Sequence, residues 1–328
     1  MIATTPVARW TWGHDGQNGD KVVACLSVLL TAYAVLAERR LAVGAPNVSV
    51  SVYEAGKSNS YLFRGELALD AVSPPAHAAQ RLADQVKAAL RPGRIGSVSA
   101  HIKSDGLIIG GDNDVREVGL FLLGSSALLD YVSASLVTFS DAWMPYDLKG
   151  RAQPAVHAAN APRLAAALRD LSEAIGSETD PDDPTYFGKP TEVGIDNYFN
   201  RDGTPRDVWE SSEIPYRYSA FTHAPGFGRI GYARSADGEV QYIPVHGQHG
   251  LLGYLWASDA ENAASFEPCD VGDEESYRSG LLWLDRLRSA YDRGLSPSQA
   301  LASLADLTDV SGLDTLGLST LRKRASGS

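Results

Sequence analysis

Residues 22–37 carry no charge at all, a sixteen-residue run held between Lys21 and Glu38. A helix built from it is apolar on nearly every side and must be enclosed by other elements. It falls short of the ~20 residues that a bilayer-spanning helix needs. Asp15 and Asp20, just before it, spoil the basic segment of a secretory leader. The run therefore predicts a central core helix over 22–40, in a cytoplasmic chain with no membrane segment. With 328 residues, 44% of them hydrophobic, the chain has enough material to bury such a helix.

What surrounds the helix alternates with period two. Val48, Val50 and Val52 interleave with serines, predicting a half-buried strand over 47–54 with a hairpin partner at 61–69. Pro74-Pro75 opens a second helix that Arg91-Pro-Gly-Arg94 stops. Strands follow at 97–103, 107–109, 117–123 and 131–140. A third helix has Pro162 near its first turn and Gly176 as its stop. Glu178-Thr-Asp-Pro-Asp-Asp-Pro184 reads as an acidic linker. Beyond it lie strands at 229–234, 239–245 and 251–257 and a helix over 274–293. Ser296-Pro-Ser-Gln299 is a capping box opening another helix, and Arg322-Lys323-Arg324 suit the last turn of a terminal one. The expected class is α+β, with mostly antiparallel sheets and packed helices in two lobes, 1–176 and 177–328.

Charge separates those lobes. Residues 1–176 hold 16 basic and 16 acidic side chains, whereas 177–328 hold 13 against 24 and carry the whole net charge of −11. That sign excludes a general nucleic-acid binder. Between Arg234 and Arg278 there is no Lys or Arg, while acids accumulate. Such a block speeds encounter with a basic partner. The candidate partner-binding residues are Asp259, Glu261, Glu267, Asp270, Asp273, Glu274 and Glu275, the last three also suiting a helix N-terminus.

Signals for chemistry are weaker. Ala55-Gly-Lys-Ser58 follows a strand but has Ser51 where a phosphate loop needs its first glycine. Gly226-Phe-Gly-Arg-Ile-Gly231 has the letters of a dinucleotide fingerprint but runs into an apparent strand instead of a helix. His246 and His249, with His223 upstream, suggest zinc without a frame to fix the rings, so no metal and no cofactor is expected. A triad of Ser258, His246 and Asp259 lacks the GxSxG setting. Glu210 and Glu213 lie among aromatics, as the carboxylates of a glycosidase would. Cys25 and Cys269 belong to no metal or disulfide pattern, which fits a reduced pair.

Phe139-Ser-Asp-Ala-Trp-Met-Pro-Tyr-Asp147, Asn160-Ala-Pro-Arg-Leu164 and His249-Gly-Leu-Leu-Gly-Tyr-Leu-Trp-Ala-Ser-Asp259 resemble a family of high-GC Gram-positive bacterial proteins without an established catalytic motif. The preference for Arg over Lys, 22 to 7, fits that source. In overall character the chain is also similar to the acidic α+β immunity proteins encoded beside polymorphic toxins. That resemblance implies a non-enzymatic binding protein whose acidic lobe occludes a basic cleft. A hydrolase using His246 and His249 or the Glu210/Glu213 pair is the alternative. A structural or assembly subunit, possible as a homo-oligomer, is the third.

Overall fold

The computed structural model describes residues 1–16, 19–57, 59–69, 73–110, 114–248, 250–307 and 313–327. By internal contacts the chain forms two compact units, Met1–Trp209 and Glu210–Ser328.

Unit 1 opens with a strand not expected from the sequence, β1 (Ala8–Asp15), in which buried Trp10 and Trp12 alternate with more exposed residues. The uncharged run becomes α1 (Lys21–Glu38), capped by Asp20, whose carboxylate accepts from the Val22 and Val23 amides. By length and composition α1 would suffice to cross a membrane. In the fold it packs on α2 (Pro75–Ala88), on α3 (Pro154–Ile175) and on three strands, β4 (Ile95–Ile109), β5 (Asp114–Leu128) and β6 (Tyr131–Thr138). Leu26, Leu29, Leu30 and Leu36 are thereby buried, each contributing about 1.5–3 kcal/mol.

With β2 (Asn47–Glu54), β3 (Tyr61–Ala68) and β7 (Asp180–Pro181), these strands form one antiparallel sheet ordered β3-β2-β4-β5-β6-β1-β7. Two strands expected at 97–103 and 107–109 are one long strand, β4. It continues through a bulge at Asp105, where a Cβ on Gly106 would lie 2.4 Å from the Leu41 carbonyl. Pro162 sits inside α3, which starts eight residues earlier at Pro154 and ends, as expected, at a left-handed Gly176.

The expected linker is no linker. Asp180 and Pro181 pair with Thr11 and Trp10, and the chain then folds a hairpin of β8 (Lys189–Thr191) and β9 (Gly194–Asp196). Proline is tolerated there because β7 is an edge. Unit 1 therefore extends to Trp209.

Unit 2 is built on a four-stranded antiparallel sheet, ordered β12-β11-β10-β13. Its strands are β10 (Glu239–Gly247), β11 (Gly250–Ser258), β12 (Ala263–Pro268) and β13 (Asp314–Gly317). Ile243, Val245, Leu255 and Phe266 pack against α4 (Ile214–His223), α5 (Glu274–Asp292) and α6 (Pro297–Ala305). Val240, Tyr242, Tyr254 and Trp256, on the other face, pack against α7 (Leu318–Ala325). Both faces are covered, which explains the unbroken apolar run of β11. The strand expected at 229–234 does not form. Gly226, Phe227, Gly228 and Gly231 have positive φ, and only Ala233 makes a bridge, to Ala263.

Candidate functional site

The seven carboxylates expected to meet a partner all have work inside unit 2. Asp259 accepts from the Ser298 amide and hydroxyl beside the first turn of α6, and Glu261 accepts from the Asp237 amide. Glu267 takes the Trp256 indole N–H at 3.1 Å and an ion pair with Arg322 of α7. Asp270 closes a turn on the Gly272 amide, and Asp273 caps α5 through the Ser276 amide. Glu274 pairs with Arg217 and Arg278, while Glu275 accepts from the Gln248 amide. The cations missing from the 234–278 interval arrive from outside it. With the unit boundary at Trp209, the charge also divides differently. Unit 1 has 24 acidic and 19 basic residues, net −5, and unit 2 has 16 and 10, net −6.

The catalytic alternatives do not come together. Glu213 is fully buried and bound to the equally buried Arg217, whereas Glu210 is exposed, so the two never face one cleft. His246 is exposed near the β10–β11 turn, and Ser258 lies at the far end of that hairpin, which dismantles the triad. His223 lies at the end of α4 with Nδ1 against the Ser219 carbonyl oxygen. His249 and Ser58 lie outside the described residues. Among the described residues, no three His, Cys, Asp or Glu side chains gather as a metal site. The fingerprint-like glycines 226–231 follow a helix and lead into a loop, the wrong frame for a dinucleotide.

A different surface does assemble, at the sheet edge of unit 1 over residues 178–199. Thr185 is its hub. Its hydroxyl donates to the Val7 carbonyl at 2.8 Å and accepts from the Phe187 and Gly188 amides. Its own amide donates to the Gly188 carbonyl, and its carbonyl accepts from the Tyr198 hydroxyl at 2.7 Å. This turn sends two adjacent aromatics in opposite directions, leaving Phe187 2% and Tyr186 81% exposed. The β8–β9 hairpin is pinned by the Trp10 indole N–H on the Thr191 carbonyl, and it presents Val193 at its tip. Phe199 is exposed but held edge-on to Tyr146, whose backbone is bonded at both N–H and C=O by the Asn197 amide group.

Six carboxylates, Glu178, Asp180, Asp182, Asp183, Glu192 and Asp196, are exposed along this segment, against one cation, Lys189. The arrangement offers rigid apolar anchors in a negative surround. Its only trace in the sequence is an acidic, proline-bearing stretch leading into Thr-Tyr-Phe-Gly. Which of the two aromatics faces out is decided by the Thr185 turn.

No family model matches the chain, and neither a curated protein nor a solved structure matches it.

Proposed function

We propose that this chain is a non-enzymatic, cytoplasmic binding protein that presents the 178–199 edge of unit 1 to a basic protein partner. An immunity protein occluding the basic cleft of a toxin is the most concrete form of that role. The reading rests on Tyr186, a large aromatic left exposed by a turn that five hydrogen bonds hold in place. An exposed aromatic on a rigid frame loses little conformational freedom on binding and is the residue type that anchors interfaces. The surrounding carboxylates steer a basic partner toward it and pair with Lys or Arg at the rim.

The test is capture of proteins from the native host on the immobilised chain, followed by affinity measurement with whatever purified protein is retained. Tyr186→Ala should weaken that binding at least tenfold, and joint reversal of Asp182, Asp183 and Glu192 should slow association and flatten its salt dependence. A retained partner indifferent to all four changes, or one of acidic character, defeats the proposal.

A further inference from the structure

Among the described residues, the helices of unit 1 leave one face of its sheet uncovered. On it the side chains of β2, β4, β5, β6 and β1 are half-buried or exposed, Val137 excepted. The strand register sets these residues in rows across the sheet. One row runs Arg64, Ser51, Ser99, Ser126, Ser133, Gly13, and the next runs Glu66, Ser49, His101, Gly124, Ser135, Thr11. Outside the first row lie the exposed Leu128, Tyr131 and Asp15, and outside the second lie Leu122, Val137 and Arg9.

We infer that this face is a homodimer interface, with a second copy laid across it about a two-fold axis. The axis runs perpendicular to the strands, in the interface plane, between the two central rows. It sets every residue opposite one from its own strand. Arg64 then meets the Glu66 of the second copy, and Asp15 meets its Arg9, so that both charge pairs are of opposite sign. Leu128 meets Leu122, placing apolar against apolar. Ser126 meets Gly124 and Ser133 meets Ser135, small side chains that let the two sheets close there to the ~10 Å of face-to-face packing.

Arg9 is free to exchange partners, since its contact with Asp182 is a long 3.7 Å. Six strands ~4.8 Å apart and seven residues long span about 600 Å² per copy, on the order of 1,200 Å² in all, the lower bound of specific interfaces.

Sedimentation equilibrium of the full chain tests this independently of any other partner. The expected species is a dimer, twice the 35.0 kDa chain. Arg64→Glu or Glu66→Arg alone turns two symmetry-related attractions into repulsions and should raise the dimer dissociation constant about tenfold. The double variant R64E/E66R restores both pairs and should return it to within about threefold of the original. Ser126→Trp should give monomers with unchanged far-UV circular dichroism, whereas Tyr186→Ala should leave the dimer intact. A single-chain mass up to about 100 μM overturns the inference. So does a dimer that ignores the charge changes, or one that the double variant fails to restore.

Discussion

Arg217 and Glu213 pair at 2.8 Å with both side chains wholly withdrawn from solvent. Arg217 also reaches the Glu274 carboxylate and the Val271 carbonyl, and lies 4.8 Å from the Tyr277 ring centre. One guanidinium thus joins the turn before α4, the loop after β12 and the first turn of α5. Its planar fork makes these contacts together, which a lysine ammonium cannot do.

Removing one partner of such a pair strands the other charge in the interior. Arg217→Ala should therefore cost about 3–5 kcal/mol, a large share of the stability of an ordinary domain. Replacing both partners, as in R217M with Glu213→Leu, should recover much of that loss. Urea unfolding of the three proteins measures it, and equal destabilisation by single and double variants would refute the ion-pair account.

Tyr186 and Phe187 make a matched experiment on neighbouring residues. Phe187→Ala empties a buried site and should destabilise by about 3–5 kcal/mol. Tyr186→Ala removes an exposed ring and should change stability by less than about 0.5 kcal/mol. Thermal or urea denaturation separates them. Comparable losses would mean that Tyr186 packs in the fold and is not available as an anchor.

This pair also marks how far the sequence could be read. Where the signal was periodic or local, it was legible: the uncharged run is α1, the Val/Ser alternation is β2, and Ser296 and Gln299 make both bonds of the capping box. Elements that depend on a distant partner were not. β12 is Ala-Ala-Ser-Phe-Glu-Pro, a poor strand former, and it owes its existence to pairing with β11. β7 contains a proline and is held by β1 from the other end of unit 1.

Charge depends on distant partners too: Arg217 and Arg278 reach Glu274 and Arg322 reaches Glu267 through the fold, while Asp259, Glu261, Asp270 and Asp273 stay exposed. The exposed face of the sheet was visible as serines alternating with valines. That those serines align in rows across four strands follows only from the register.

Asp259 gives a pH-dependent test of its structural role. Hydrogen bonds from the Ser298 hydroxyl and then the Ser298 amide hold its carboxyl below the ordinary aspartate value of 3.8. Folding thus favours the ionised form. The resulting stability is complete at neutral pH, begins to fade as pH drops toward 3.8, and is gone once pH passes below the folded-state pKa. Asp259→Asn should be less stable than the parent at neutral pH, and the gap should close in acid. Urea midpoints of the two proteins across that range check it. A gap that stays constant or widens in acid would show that Asp259 does not anchor α6 through its charge.

The two cysteines should differ sharply in reactivity. Cys25 is buried on α1 with its thiol directed to the Ser125 carbonyl oxygen, and burial pushes its pKa up to about 12. At neutral pH the thiol therefore stays protonated, and being fully buried it is reached only when the helix opens from the sheet. Cys269 is partly accessible. Burial, and then the nearby Asp270 carboxylate, raise its pKa as well, so it should react slowly but measurably. A disulfide-exchange reagent added to native protein should therefore modify one thiol, and Cys269→Ser should abolish that reaction. Cys25 should follow only when denaturant unfolds unit 1, with a rate that tracks unfolding. Rapid native labelling at Cys25 would mean that α1 opens locally, against its place at the centre of the core.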